Sequence, residues 1–389
     1  LLPKTPQTPP VGSDYFCRAE FQSQDRPRHH PAVATKLWHR PPGWQWKIQS
    51  AIPRPGNPRD WIKQDLPTQI STIQEPTQKA SDRLTAASDG TFPDVARILF
   101  LGDSITYSGH YVTLLETAIR LQYPSRNVEL LNLGLPSETV AGLSEPGHAG
   151  GQFPRPDLHE RLTRVLDQVQ PELVVACYGM NDGIYHPLSD ERFAAYRDGI
   201  ERLRAAVLER NAQLLLLTPP MFDARPIADR LLPAGQAAYP QPYVEYDSVL
   251  QHYAAWLLSK RTDHWQVLDV HGAMSRAVAD RRGSDPDFTF AADGVHPNEA
   301  GQAVIAGVLA QHWGLQLGDR ETEPGSAERS QLRNDVSHVV AKRQELLKHA
   351  WLTRTRHMRP GIPAGRDWEE ALKAAAELGQ QISARIGRE

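Results

Sequence analysis

The chain has 389 residues, with 43 Lys and Arg set against 46 Asp and Glu and a formal net charge of −3 at pH 7. That length holds one large domain with flanks, or two domains, and so small a charge gives no global attraction to nucleic acid or anionic lipid, so no nucleic-acid partner is expected. No stretch approaches the roughly 18 to 20 apolar residues that span a bilayer, so no integral membrane association is expected either.

Residues 1–92 are rich in Pro, Gln, Arg and His, with dipeptides such as Pro9-Pro10 and Pro41-Pro42 and no sustained periodicity. They read as an irregular N-terminal arm. Trp38, Trp44, Trp46 and Trp61 are unusual in such a segment; docking of the arm onto the following domain is preferred to a sugar-binding platform. The chain opens Leu-Leu-Pro with no basic-then-apolar leader. Two expectations follow: a secreted or periplasmic product whose leader is absent from this chain, or a cytoplasmic one. Two cysteines, Cys17 and Cys177, make no disulfide framework and are expected as free thiols, Cys177 inside an apolar run.

From about Arg97 apolar runs alternate with amphipathic stretches, the signature of βα units. Strands are predicted at Arg97–Leu101, Asn127–Leu131, Leu173–Tyr178, Gln213–Thr218 and Gln266–Asp269. Helices are predicted near His110–Gln122, Pro156–Val169, Asp190–Glu209, Tyr243–Lys260 and Asn298–His312. With right-handed crossovers this gives an α/β fold: a three-layer α/β/α sandwich on a flavodoxin-like five-stranded parallel sheet, spanning residues 93–316. Residues 317–389 begin with an acidic-polar linker and then read as a helical C-terminal extension, around Glu328–Ala350 and Trp368–Ile386. Leu332, Val336, Val339, Val340, Leu346 and Leu347 recur there at helical spacing, which predicts packing against the main domain or a partner subunit. The run Arg354 to Arg359 reads as a solvated turn.

Ser104 stands in Gly102-Asp103-Ser104-Ile105, directly after the first apolar run. A turn there lifts a hydroxyl to the carboxyl edge of the sheet, where open α/β sheets bind ligands. On its own the tetrapeptide is equally a plain turn and helix cap. A candidate base follows in Asp293-Gly294-Val295-His296-Pro297. An Asp three residues before a His can bring its carboxylate to the imidazole, fixing the tautomer and stabilising the imidazolium formed when a hydroxyl loses its proton. Gly134, after the second apolar run, and Asn181, after the third, offer a backbone N–H and a side-chain amide, donor types suited to a developing oxyanion.

With these four blocks in view the chain resembles the SGNH hydrolases, also called the GDSL esterase family, whose blocks supply Ser, Gly, Asn and His in that order. Here they are Ser104, Gly134, Asn181 and His296, and the resemblance runs from about Arg97 to Gly314. It implies the same flavodoxin-like sandwich. It also implies a Ser104 nucleophile, a triad completed by Asp293 and His296, and an oxyanion hole made by the N–H groups of Ser104 and Gly134 with the Asn181 amide. Many members carry another small glycine after the key one in the second block, where this chain reads Gly134-Leu135-Pro136-Ser137-Glu138-Thr139.

The implied reaction is two-step ester hydrolysis through an acyl-enzyme. The preferred substrate is a short O-acyl group, acetate first, on a carbohydrate: no apolar lid-like helix is evident, and the loops carry Tyr185, Tyr239 and Tyr243, which could stack on sugar faces. A lysophospholipase or thioesterase acting on longer chains is the alternative, and a non-catalytic glycan-binding protein on the same fold is a third reading. Asp103 is expected to stabilise its turn and Asp182 to orient the Asn181 loop. His110, His148, His159 and His186 lack a metal-ligand spacing and Gly150-Gly151 lacks a nucleotide-loop spacing, so no metal and no cofactor are expected.

Overall fold

Five short apolar segments meet in one sheet: β1 (Arg97–Gly102), β2 (Glu129–Asn132), β3 (Leu173–Cys177), β4 (Gln213–Leu217) and β5 (Gln266–Leu268). The computed structural model describes residues 90–318 and 325–387, so Cys17 and the four tryptophans of the arm lie outside the described residues. Every neighbouring pair is parallel, in the order β2-β1-β3-β4-β5. Leu99 lies beside Leu131 on one flank and Val174 on the other. β3, Leu-Val-Val-Ala-Cys, is buried along its whole length, as a strand must be when helices cover both faces of a parallel sheet. The chain leaves β1 outward to β2 and returns on the other side to β3. That reversal opens a crevice at the strands' carboxyl ends.

The crossovers are helical. After β1 come α1 (Ser104–Ser108) and α2 (His110–Gln122), then α3 (Leu158–Val169), α4 (Asp190–Glu209), α5 (Tyr246–Ser259), α6 (Val270–Arg282) and α7 (Glu299–His312). In α3 the buried residues Leu158, Leu162, Val165, Leu166 and Val169 form one stripe. Asp157 starts that helix by accepting from the His159 N–H at 2.9 Å, and Gln170 ends it in the left-handed region at φ 48°. α2 packs on α7, α7 on α6, and α3 on α4.

All five predicted strands and the predicted helices are present, with ends shifted by a few residues; α1 and α6 were not anticipated. β2 starts two positions later than expected and ends one position further, at Asn132, because its partner is β1 and the register pairs Asn132 with Phe100. α6 buries only Val270, His271, Met274 and Val278 among charged neighbours, a stripe too thin to stand out by periodicity.

The extension forms α8 (Ser326–Arg354) and α9 (Trp368–Ile386). These pair through an apolar cluster of Val336, Val339, Val340 and Ile382 and through the Trp351 and Trp368 rings, 4.7 Å apart. α8 lies on α2 and β2, so its apolar face packs against the main domain. Gln344 Nε2 donates to the Leu130 carbonyl at 2.9 Å. Lys348 Nζ donates to the Tyr107 carbonyl at 2.9 Å, and His349 Nε2 meets the Tyr107 hydroxyl at 2.9 Å. Thus α8 grips α1 three residues past Ser104. The predicted solvated turn after α8 offers the carbonyls of Thr355 and Arg356 to Arg164 at 3.1 Å each.

Candidate active site

A Cβ on Gly102 would sit 2.2 Å from Thr106 Oγ1 and 2.8 Å from the Cys177 carbonyl, so only glycine lets α1 fold back this tightly on the end of β1. Asp103 then caps α1, its Oδ1 accepting from the Ile105 N–H at 2.9 Å, the turn-stabilising part expected of it. Burial lifts its carboxyl to about 6, against the pull of the Ile105 N–H and the charge of His296. Ser104 is the first helical residue, half-buried at the strand's carboxyl end.

The Ser104 Oγ lies 2.8 Å from His296 Nε2 across 192 positions of sequence. His296 Nδ1 lies 2.6 Å from Asp293 Oδ2. The other oxygen, Asp293 Oδ1, accepts from the N–H groups of Val295 at 2.9 Å and His296 at 2.8 Å. Gly294, at φ 81°, makes this loop possible: a Cβ there would approach the Asp223 carbonyl to 2.7 Å. With an ionised carboxylate on Nδ1, the proton belongs on Nδ1 and the Nε2 lone pair faces the serine hydroxyl. Burial works against the Asp293 charge, but the hydrogen bond and charge of His296 with two backbone donors hold its carboxyl down to about 2. Burial likewise opposes a charged His296, and the Asp293 hydrogen bond and charge outweigh it, so the imidazole is raised above its ordinary value. Both side chains keep considerable exposure, 38 % for His296 and 54 % for Asp293, so water screens part of these effects.

The facing wall comes from the loops after β2 and β3. Gly134 is placed by close packing, since a Cβ would meet the Tyr107 N at 2.4 Å. Its N–H, expected as an oxyanion donor, is committed elsewhere: it donates to Asn132 Oδ1 at 2.9 Å. Along the same loop Leu135 N–H goes to the Gly102 carbonyl, Glu138 N–H to the Leu135 carbonyl and Thr139 N–H to the Pro156 carbonyl, while Pro136 has none. Among the described residues, the backbone donor left over in this stretch is that of Ser137. It sits at φ 66°, third residue of a Leu135–Glu138 turn with proline second, the pattern of a type II turn, where glycine is favoured.

Asn181 Nδ2 donates to the Glu138 carbonyl at 3.2 Å, tying the third loop to the second beside Ser137. Its Oδ1 accepts from Arg155 Nη1 at 2.9 Å and from the Tyr185 hydroxyl at 3.2 Å. Asp182 Oδ1 accepts from the N–H groups of Val140 and Ala141, both at 2.8 Å, an orienting part as expected; burial raises its carboxyl to about 7. Glu138 is wholly buried against Arg161, Nε to Oε1 2.6 Å and Nη2 to Oε2 2.7 Å, and takes the Tyr178 hydroxyl at 2.7 Å. Burial raises the Tyr185 hydroxyl, Arg155 lowers it, and the charges of Asp103 and Asp293 raise it further. Arg155 and Glu145 were missed from sequence; neither lies in a motif, and only the folded loops bring them to Asn181.

The remaining expected features have plainer surroundings. Tyr243 is 8 % exposed with its hydroxyl on Glu245 at 2.6 Å, and Tyr239 packs edge-on to it. His148 meets Glu145 at 3.2 Å, and His159 the Gly199 carbonyl at 3.1 Å. Among the described residues no group of three or more His, Cys, Asp or Glu could hold a metal ion, and no helix is long and apolar enough to cross a membrane. Cys177 is a buried free thiol.

An open parallel α/β sheet with Ser, His and Asp hydrogen-bonded in series at its carboxyl edge has the fold and layout of a hydrolase. The chain belongs to the GDSL-like lipase/acylhydrolase family, whose model matches residues 100–304. No curated protein matches it. Similar solved structures include a gut microbial diltiazem-metabolizing enzyme, 17 % identical with a TM-score of 0.43, where the match covers 58 % of this chain but only 49 % of that one. An acetyl xylan esterase is 20 % identical with a TM-score of 0.40, over 55 % of this chain and 97 % of that one. A psychrotrophic esterase from Pseudoalteromonas sp. is 18 % identical with a TM-score of 0.34, over 55 % and 93 %.

Proposed function

We propose that the protein is a serine esterase that hydrolyses a carboxylic ester through an acyl-enzyme on Ser104. The observation that carries this reading is the unbroken series Ser104 Oγ, His296, Asp293 at 2.8 and 2.6 Å. His296 Nε2 takes the hydroxyl proton as the oxygen attacks the ester carbonyl, then returns it to the leaving alcohol. Water, activated by the same nitrogen, attacks the acyl carbon and releases the acid. Asp293 keeps the imidazole in the required tautomer and balances its charge. The Asn181 amide and the Ser104 N–H serve the oxyanion. From the second loop the free Ser137 N–H takes the part first expected of Gly134, whose own N–H is occupied.

For substrate we favour a short acyl group, acetate first, on a carbohydrate hydroxyl. Support comes from the polar and aromatic side chains gathered at Asn181, namely Arg155 and Tyr185. The test is hydrolysis of p-nitrophenyl acetate, butyrate and a long-chain ester by wild type and Ser104→Ala, with acetate release from acetylated xylan followed in parallel. Serine-dependent acetate release that falls off beyond short chains is the expected result. A preference for long chains moves the substrate to a lipid or thioester, and equal rates for the two proteins remove Ser104 from the mechanism.

A further inference from the structure

A carboxamide has two chemically different ends, and an oxyanion is served by one of them only. At Asn181 the choice is made by neighbours: Arg155 Nη1 and the Tyr185 hydroxyl both donate to Oδ1, at 2.9 and 3.2 Å, so that end is oxygen. The other end is therefore NH2. One of its two hydrogens goes to the Glu138 carbonyl at 3.2 Å, and the second remains for a reacting oxygen. Arg155 is itself immobilised. Its Nε and Nη2 meet the two oxygens of Glu145 at 2.7 Å each, its backbone N–H donates to Ser144 Oγ at 2.9 Å, and its guanidinium lies 5.4 Å over the Tyr185 ring. The side chain is 6 % exposed, so the fork is held with little solvent to compete.

We infer that Arg155, braced by Glu145, is a positioning residue that fixes the direction of the Asn181 amide and so sets how well the oxyanion is stabilised in turnover. This rests on the reading of Asn181 as an oxyanion donor. The hydrogen bonds to Glu145 and the Arg155 charge overcome the burial that opposes ionisation and hold the Glu145 carboxyl at about 2, so the brace stays charged across the range in which His296 acts as base. Glu145 and Arg155 lie ten residues apart in the loop between β2 and α3; Asn181 follows β3. The clamp is thus the link that makes the orientation of a third-loop side chain depend on the second loop.

The experiment is a double-mutant cycle on kcat for a short ester, using Arg155→Ala, Asn181→Ala and the double variant, with thermal melts alongside. Expected is a loss of at least roughly 10-fold in kcat for Arg155→Ala with KM nearly unchanged, as for an interaction felt mainly in the transition state. No further loss is expected when Arg155→Ala is added to Asn181→Ala, since coupled groups are not additive. Arg155→Lys is expected to recover little, because an ammonium cannot bind Glu145 bidentately and reach Asn181 together. Guanidinium ion added to Arg155→Ala should restore part of the rate, which a merely structural role would not allow. Where Arg155→Ala does not fold, Tyr185→Phe removes the second Oδ1 donor and should give a several-fold loss that vanishes in the Asn181→Ala background. Losses that multiply across the cycle, or an Arg155→Ala variant with wild-type kcat, overturn the inference alone. Wild-type turnover by Asn181→Ala, with Ser104→Ala inactive, overturns both it and the oxyanion reading of Asn181.

Discussion

The two walls of the crevice are built differently. On one side Ser104, His296 and Asp293 form a single file of two hydrogen bonds, on side chains that are half-exposed. On the other, Asn181 is 4 % exposed, Asp182 and Glu138 not at all, and Arg155, Glu145, Tyr185 and Arg161 cross-brace the loops after β2 and β3. On the proposed mechanism the difference follows from what each wall would have to do. A proton relay needs groups that change charge, which water access makes easier; an oxyanion site works by donors that are already aimed and do not reorganise. Exposure on the first side and a buried lattice on the second are what those two tasks ask for.

The contrast is broken most severely on the file side. Ser104→Ala should lose on the order of 10⁴-fold or more in kcat for a short ester, without a matching loss of thermal stability. Asp293→Asn should lose about 10⁴-fold by offering the wrong tautomer. It should also move the pH profile. His296 acts only when unprotonated, and Asp293 raises its pKa, so wild-type kcat/KM should fall as pH drops through a value above 6.5, the imidazole's ordinary one, and the acid limb of Asp293→Asn should lie at lower pH. On the braced side Asn181→Ala should cost about 10²- to 10³-fold in kcat. Glu138→Ala, which leaves Arg161 buried without its carboxylate, should show itself chiefly in urea unfolding, by about 3 to 5 kcal/mol. The smallest effect is expected for Ser137→Gly: activity close to wild type, with a stability gain below about 1 kcal/mol, because φ 66° suits glycine better. A collapse of kcat in that variant would show that the serine side chain, and not its backbone, is what the loop requires.

The sheet was legible because its strands are short unbroken apolar runs such as Leu173–Cys177, and parallel strands buried on both faces leave that mark in any sequence. Helix α6 was not: Val270, Met274 and Val278 come one per turn, and its clearest signal was local, the Asp269 cap on the Gly272 N–H at 2.8 Å. In the site, Ser104, Asp293 and His296 were readable from short motifs, and the fold joins them by hydrogen bonds of 2.8 and 2.6 Å. Gly134 was singled out as a backbone donor after the second apolar run, but residue type does not say where an N–H points, and here it points to Asn132. Arg155 left no trace at all. Its partners come from 10 residues back and 26 residues on, a convergence set by the crossing of loops rather than by any local pattern.

The hold of α8 on α1 has a consequence for assembly in time. Lys348 reaches back 241 positions to the Tyr107 carbonyl, and His349 reaches 242 to its hydroxyl. Contacts so remote along the chain form late, because the long loop between them must close first. A polypeptide growing from its N-terminus has already released the serine turn, both braced loops and the histidine before the segment that steadies the serine's helix exists. Ser104 is thus made before Asn181, Asp293 and His296 and steadied after them, so a chain halted at residue 325 would carry every member of the proposed triad and lack that support.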